Sequence, residues 1–362
     1  MTKRQNRFAW LPVTAIGELV GDVDIAALER SVHAVVMRHE ALRSRLVRVG
    51  LGDNDSTLFV VDDDKRRFPQ LEVREACSAG EARNEVQTFH NEYDNDAFAP
   101  LLPVRALLVC YPREVAHHNG VRATNALLYV STNHAVSDGW SQQLLYNDLV
   151  AAYNNDGVFP KDRPKPARRY CEFLAWHNDQ VARLADDPKV QAHIRQYAAA
   201  TRLPSRWPTV CGTDKVVDTL FETGSLLHTD EVAIISAASV AAVKARLRGD
   251  VADFGRASLP SVLLAAYVTA LGDAQLGRSV VLQYSHTGRI GQPDLAETYG
   301  QLATDMNVIV PASAEPEQQQ LGAFISRVHN AVVNSLSLGS VVPYSLAYRA
   351  SDGRHPLPPQ FN

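Results

Sequence analysis

Residues Leu127–Leu145 read LLYVSTNHAVSDGWSQQLL. An apolar strand runs into a histidine, and an aspartate four residues later, followed by glycine, opens a helix. A strand that hands over so quickly to a capped helix is the building step of a layered α/β or α+β chain. Asp138 suits a helix start, because a carboxylate there meets the positive end of the helix dipole and the unpaired N–H groups of the first turn. Gly139 relaxes the backbone between the two. The apolar positions Leu144, Leu145, Leu149 and Val150 predict one buried face on a helix that runs to about Tyr153.

The same alternation extends along the chain. Ile25, Leu28, Val32, Val35 and Val36 recur at helical spacing behind Asp24, a plausible N-cap. STLFVV (56–61), PVRALLVC and ALLYVST predict strands, and EARNEVQTFHNEYDNDAF, between the first two, reads as helical at first and then as a loop. DDDKRRF reads as a solvated turn. His117-His118 looks like a hairpin tip, with no third ligand at useful spacing for a metal. After the loop GVFPKDRPKPARRY comes a helix holding CEFLAWHNDQVARL. The pattern then breaks into turns at TRLPSRWPTVCGTDK, the expected lobe boundary. The second half reads as strand VAIIS, helices AASVAAVKARLR and SVLLAAYVTAL, strands SVVLQYSH and MNVIVP, and helix LGAFISRVHNAVVNSL. No short-period repeat is present.

Length and composition bound the answer further. A chain of 362 residues is too long for one compact core, so two lobes are expected. A hydrophobic fraction of 46% and a charged fraction of 21% fit an ordinary globular protein. The net charge of −4 gives no electrostatic ground for a nucleic-acid partner. The basic start and apolar run of MTKRQNRFAWLPVTAIGELVG imitate a signal peptide. Pro12, Thr14 and Glu18 interrupt that run and no cleavage pattern follows. SVLLAAYVTAL with its flanks is too short to span a bilayer, so no membrane role and a cytoplasmic location are expected. Cys77, Cys110, Cys171 and Cys211 form no CxxC pair, which fits buried free thiols in a reducing compartment.

The chemistry converges on His134. An imidazole, with an ordinary pKa of about 6.5, can take a proton from an amine or hydroxyl near neutral pH. GxSxG is absent, so no serine at a nucleophile elbow offers a covalent route, and neither a P-loop nor a GxGxxG stands between a strand and a helix. The simplest reaction is direct transfer: His134 deprotonates an acceptor, which attacks an activated acyl group. Against this, a histidine near a strand end is ordinarily a satisfied structural residue, and HxxxD by itself is a common chance pairing.

The surrounding residues add a resemblance. RHEALRSRL (38–46) is similar to the RHExLRTxF segment of the condensation domains of nonribosomal peptide synthetases, relatives of chloramphenicol acetyltransferase. NHAVSDGWS resembles their HHxxxDG motif. In RYCEFLAWH, Tyr170, Phe173, Ala175 and Trp176 match YxDFAVW. TKRQNRFAWL loosely resembles SxAQxRLWxL through Gln5, Arg7 and Leu11, and SVVPYS stands for QDVPFE. YGQLATDMNVIV sits where the family has IGxFVNTLPLR, with only Gly300 matching well. The order holds from end to end of the chain.

The resemblance implies a two-lobed α/β (α+β) pseudodimer of acetyltransferase-like sandwiches with a central tunnel. The expected lobes are 1–175 and 216–362, joined by 176–215, with the C-terminal lobe incomplete because several strands normally follow HPLPPQFN. It further implies that His134 is catalytic, as general base or positioning residue. Asp138 is expected to be structural and to bridge to an arginine of the second lobe, matched by Arg289. Gly139 would let a substrate arm approach the backbone. Two departures accompany the match: Asn133 replaces the motif's first histidine, and the tail is short.

The expected activity is therefore acyl or aminoacyl transfer from a carrier-protein thioester to an amine or hydroxyl, in nonribosomal peptide or related natural-product biosynthesis. No cofactor or metal is expected on the domain itself. Substrates would ride on phosphopantetheine arms, and the partners would be carrier domains and other synthetase modules. Two alternatives stay open: a coenzyme A-dependent acyltransferase of the same superfamily, and an idle condensation-like domain that recruits a partner.

Overall fold

The computed structural model describes residues 12–49, 56–63, 69–92, 104–112, 124–184, 186–201, 235–249, 257–271, 279–289, 291–312, 321–338 and 360–361. The chain divides into two units: Met1–Trp176 with Arg289–Ala303, and His177–Gly288 with Thr304–Asn362.

In the first unit, β1 (Pro12–Val20), β4 (Leu71–Glu75), β5 (Val104–Pro112) and β6 (Thr124–Asn133) form one sheet in the order β1-β6-β5-β4. β6 runs antiparallel to both neighbours, and β4 pairs parallel with β5. β2 (Ser44–Val49) and β3 (Ser56–Val61) make a separate antiparallel pair. Side chains alternate across β5 and β6, so their odd and even residues serve different cores. Ala106, Leu108, Leu128 and Val130 pack under α1 (Ile25–Arg38) and α3 (Gly139–Tyr153). Leu107, Val109, Leu127 and Tyr129 pack under α2 (Ala79–Asn91) through Ala82, Val86 and Phe89. Burial on both faces is why β6 reads as a continuous apolar run rather than an alternating one.

The helices are set locally. Asp24 and Ser78 cap α1 and α2, accepting from Ala27 N and Glu81 N. On α1 the buried set Leu28, Val32, Val35 and Val36 contributes about 6–12 kcal/mol, at about 1.5–3 kcal/mol per side chain. Ile25, expected on that face, is exposed at the first turn, and Val150 of α3 also faces out. The free cysteines correct the expectation of burial: Cys77 and Cys171 are exposed and Cys110 is only half-buried. Cys77 lies just before the Ser78 cap and Cys171 in the first turn of the helix that begins at Tyr170, while Cys211 lies outside the described residues.

That helix, α4 (Tyr170–Leu184), spans the division at Trp176. In the second unit, β7 (Val280–His286) lies between β8 (Thr304–Val310), antiparallel, and β9 (Gln360–Phe361), parallel. α7 (Leu259–Leu271) and α8 (Leu321–Ser337) cover one face, where Leu264, Val268, Ile325 and Val328 meet Leu282 and Val308. On the other face, Tyr197 of α5 (Pro188–Thr201) packs on Val281 and Ile309. α6 (Ala237–Gly249) buries none of its residues. Both units are thus sheets with helices on each side.

The division differs from the expected 1–175, 176–215 and 216–362. Residues 289–303 return to the first unit, because Leu295, Tyr299 and Leu302 fill its core and Arg289 is buried there. TKRQNRFAWL, His117-His118, most of the expected boundary and SVVPYS lie outside the described residues, as does HPLPPQFN apart from β9.

Candidate active site

β6 ends at Asn133, where the chain turns into a single 3-10 turn, His134–Val136, and then into α3. Asn133 caps this turn: its Oδ1 accepts from Ala135 N at 2.8 Å. The residue that departs from the HHxxxDG pattern therefore holds the backbone on which His134 stands, as short polar side chains do at turn starts. His134 is half-buried. Its Nδ1 lies 3.0 Å from Gln301 Oε1, and no described residue hydrogen-bonds its Nε2.

Asp138 is 1% exposed and accepts four hydrogen bonds. Its Oδ1 caps α3 through Ser141 N at 2.8 Å. Its Oδ2 takes Arg289 Nη1 at 2.8 Å and the backbone N–H groups of Leu302 and Ala303, both at 2.9 Å. Arg289 donates further to Thr298 O at 2.9 Å and Ser141 Oγ at 3.1 Å. The Asp138–Arg289 pair expected from the resemblance is present, but it closes within the first unit, because the 289–303 segment belongs there. It clamps that segment to the start of α3. Such a pair repays its desolvation only when the remaining lone pairs and protons are also satisfied, as those of Asp138 are here.

Polar side chains that the sequence reading passed over line the same region. Ser141 Oγ donates to Gly300 O at 2.8 Å and accepts from Gly300 N at 3.0 Å. Ser137 Oγ and Tyr299 Oη lie 2.9 Å apart, and Gln142 Nε2 donates to Ser137 Oγ and Thr132 Oγ1. Burial pushes the Tyr299 phenol up to about 12, so it stays protonated within this network. Gly300 is required by packing, since a Cβ there would overlap the buried Tyr170 ring. Gly139 is different. A Cβ on it would meet no heavy atom within 4 Å, and its φ is not positive, so neither packing nor backbone demands glycine.

The RHEALR segment forms a second cluster. Asp148 of α3 is fully buried and receives His39 Nε2 at 2.6 Å, Arg38 Nε at 2.9 Å and Arg163 Nε at 2.7 Å. Burial alone would raise its carboxyl. Hydrogen bonds from His39 and Arg163, with the Arg38 charge, hold it below the ordinary value. Burial lowers the His39 imidazole, and the Asp148 hydrogen bond and charge offset only part of that. Beside this cluster lies a cavity of about 800 Å³ lined by Arg38, His39, Arg43, Arg163, Arg168 and Tyr170, among others. His134 does not line it. Three arginines of its wall face carboxylates: Arg163 pairs with Asp148, Arg168 with Asp294 and Arg43 with Asp63.

All five residues singled out from the sequence, Asn133, His134, Asp138, Gly139 and Arg289, thus meet in one place. The half-exposed imidazole keeps a ring nitrogen that no described residue hydrogen-bonds, which suits it to move a proton. Gln301 was missed. It sits in YGQLATD beside the one matched glycine, and nothing in sequence marks a lone glutamine as a partner of a histidine 167 positions away.

Comparison with known proteins identifies the family. A family model described as the condensation domain matches residues 5–357. The chain is 27% identical over 184 residues to the hybrid polyketide–nonribosomal peptide synthetase phm1 of Pyrenochaetopsis sp, covering 51% of this chain and 4% of that protein. It spans 4% or less of the curated relatives named first among its matches. Among solved structures, the condensation domain of the monacolin K polyketide synthase MokA superposes with a TM-score of 0.65 at 14% identity, over 96% of this chain and 73% of that one. The X-domain of teicoplanin biosynthesis, in its complex with OxyB, gives 0.63 at 19% identity, over 98% and 74%. Both likenesses concern the fold.

Proposed function

The chain belongs to the condensation-domain family of nonribosomal peptide and hybrid synthetases, and we propose that it transfers an acyl or aminoacyl group from a carrier-protein thioester to an amine or hydroxyl acceptor. The observation that carries this reading is the placement of His134. It is half-buried at the end of β6, on a turn capped by Asn133 and followed by the Asp138–Arg289 clamp.

In the proposed reaction the acceptor's nitrogen or oxygen adds to the thioester carbonyl carbon while His134 takes its proton. The tetrahedral adduct then expels the thiolate, and the C–S bond breaks. The imidazolium returns the proton to sulfur, so the products are an amide or ester and the free carrier thiol. One proton transfer of this kind contributes roughly 10²–10⁴-fold. Holding both substrates at the imidazole replaces a bimolecular encounter and contributes more.

The open space over Gly139 supports a route for a phosphopantetheine arm along the start of α3. No cofactor enters the scheme, because the activated acyl group arrives with the carrier. The test is transfer from an acyl-loaded carrier protein to a carrier-bound or free amine, run beside the same acyl group on coenzyme A. Product from the loaded carrier alone supports the proposal. Product from acyl-CoA alone would replace it with the coenzyme A-dependent reading.

A second reading rests on one neighbour. The X-domain of teicoplanin biosynthesis, similar in fold, is solved in complex with OxyB, which supports reading this chain as one that holds a protein partner. Tight binding of a partner together with no transfer from any loaded carrier would favour that role.

A further inference from the structure

We infer that Gln301 is a positioning residue that selects the tautomer of His134, and that Asp138 acts on the imidazole through it. This rests on the proposed role of His134 as the proton acceptor.

A neutral imidazole can serve as a base at Nε2 only if its proton sits on Nδ1. The structure supplies a reason for the proton to be there. His134 Nδ1 faces Gln301 Oε1 at 3.0 Å. Which end of a glutamine amide faces a neighbour is settled by its other partner. Here the other partner is unambiguous: Gln301 Nε2 lies 2.9 Å from the carbonyl oxygen of Ala303, which can only accept. Turning the amide over would set two oxygens against each other at that distance. The amide oxygen must therefore face His134, and an oxygen that can only accept requires Nδ1 to donate.

The anchor is itself anchored. The N–H groups of Leu302 and Ala303 both donate to Asp138 Oδ2 at 2.9 Å, and Arg289 donates to the same oxygen at 2.8 Å. A buried carboxylate thus fixes Leu302 and Ala303, Ala303 orients the Gln301 amide, and the amide orients the ring. Asp138 stands four residues from His134 and makes no hydrogen bond to it, yet it holds the piece of chain that sets the proton's place. Reversing the tautomer would bring two lone pairs together at Nδ1 and Oε1. The loss of one such hydrogen bond in a half-buried setting biases the tautomers by about tenfold or more. The Nε2 lone pair is then left toward the side where no described residue engages it.

The experiment uses the full chain with histidine labelled in the ring nitrogens, comparing wild type, Gln301→Met and Gln301→Glu. His134 signals are assigned by their loss in His134→Gln. Methionine matches glutamine in shape without accepting from Nδ1, whereas glutamate keeps an acceptor. In wild type the nitrogen shifts should report Nδ1–H. In Gln301→Met they should move toward Nε2–H, with kcat lower by about 10–100-fold, as for loss of other outer-shell partners, and KM for the loaded carriers unchanged. Gln301→Glu should restore Nδ1–H and most of the turnover. A folded Gln301→Met protein that keeps Nδ1–H overturns the inference, even if its turnover falls. A tautomer that moves while His134→Ala leaves transfer intact would instead strike the catalytic reading and leave the Gln301 assignment standing.

Discussion

Replacing Asp138 by alanine removes the acceptor of four donors at once: Ser141 N, Leu302 N, Ala303 N and the Arg289 guanidinium. The Arg289 side chain is 3% exposed, so its charge is left in the interior without a counter-charge. Breaking a buried pair from one side costs about 3–5 kcal/mol. Loss of the α3 cap adds about 1 kcal/mol. A total of about 4–6 kcal/mol is a large part of the 5–15 kcal/mol by which domains are stable. For a unit of this size it corresponds to a fall in Tm of about 8–24 °C. Arg289→Met should cost less, because the Asp138 carboxylate it leaves behind still accepts from three backbone N–H groups. The double variant should cost less than the sum of the two, since removing both charges strands neither. Urea unfolding, with unchanged slopes, gives the three energies. An Asp138→Ala cost below about 1 kcal/mol would refute the clamp. An Arg289→Met cost above that of Asp138→Ala would refute the asymmetry argument.

Two further outcomes follow from groups near the site. The folded His39 imidazole titrates below its ordinary value of 6.5, so in the window beneath that value the unfolded chain binds a proton that the folded chain does not. Stability should therefore be full above pH 6.5 and fall as the pH drops below it, by at most about 1.4 kcal/mol per pH unit from this group, and His39→Gln should flatten that slope. The lowered Asp148 carboxyl acts in the same direction at more acid pH. A His39→Gln protein with the wild-type slope between pH 6.5 and 5 would contradict the assignment. Gly300→Ala should destabilise by about 1–3 kcal/mol through overpacking against Tyr170, and by less in a Tyr170→Ala background, where the ring atoms that a Cβ would meet are gone. Equal costs in the two backgrounds would show that packing is not the reason for the glycine.

Legibility in the sequence followed the range of the forces. β3, β5, β6, α1, α2 and α3 were readable because apolar spacing and caps are local. Asp24 and Asp138 both cap where their positions before apolar runs predicted. β1 was not read as a strand. It is an edge strand with Ile16 and Val20 exposed, and its apolar residues suggested a leader-like run instead. β4 was also missed, because only Leu71 of its five residues is buried and the pattern is too weak to stand out. The return of 289–303 to the first unit could not be read at all. It depends on Leu295, Tyr299 and Leu302 packing into a core built from residues far away in the chain, and no local spacing says which core an apolar side chain fills. The His134–Asp138 pair was visible as spacing, while Gln301, which joins them in space, was not. Asp148 was likewise hidden, since its partners His39, Arg38 and Arg163 lie in two separate stretches of the chain.

The central claim is that His134 carries the proton transfer. The most direct measurement is single-turnover acyl transfer between a loaded donor carrier and a saturating acceptor, comparing wild type with His134→Ala at the same pH. His134 is half-buried, and among the described residues its side chain hydrogen-bonds Gln301 alone, so the variant should keep its fold and unfold near the wild-type temperature. Its rate should fall by about 10²–10⁴-fold. A folded His134→Ala protein that transfers acyl groups at close to the wild-type rate would contradict the account.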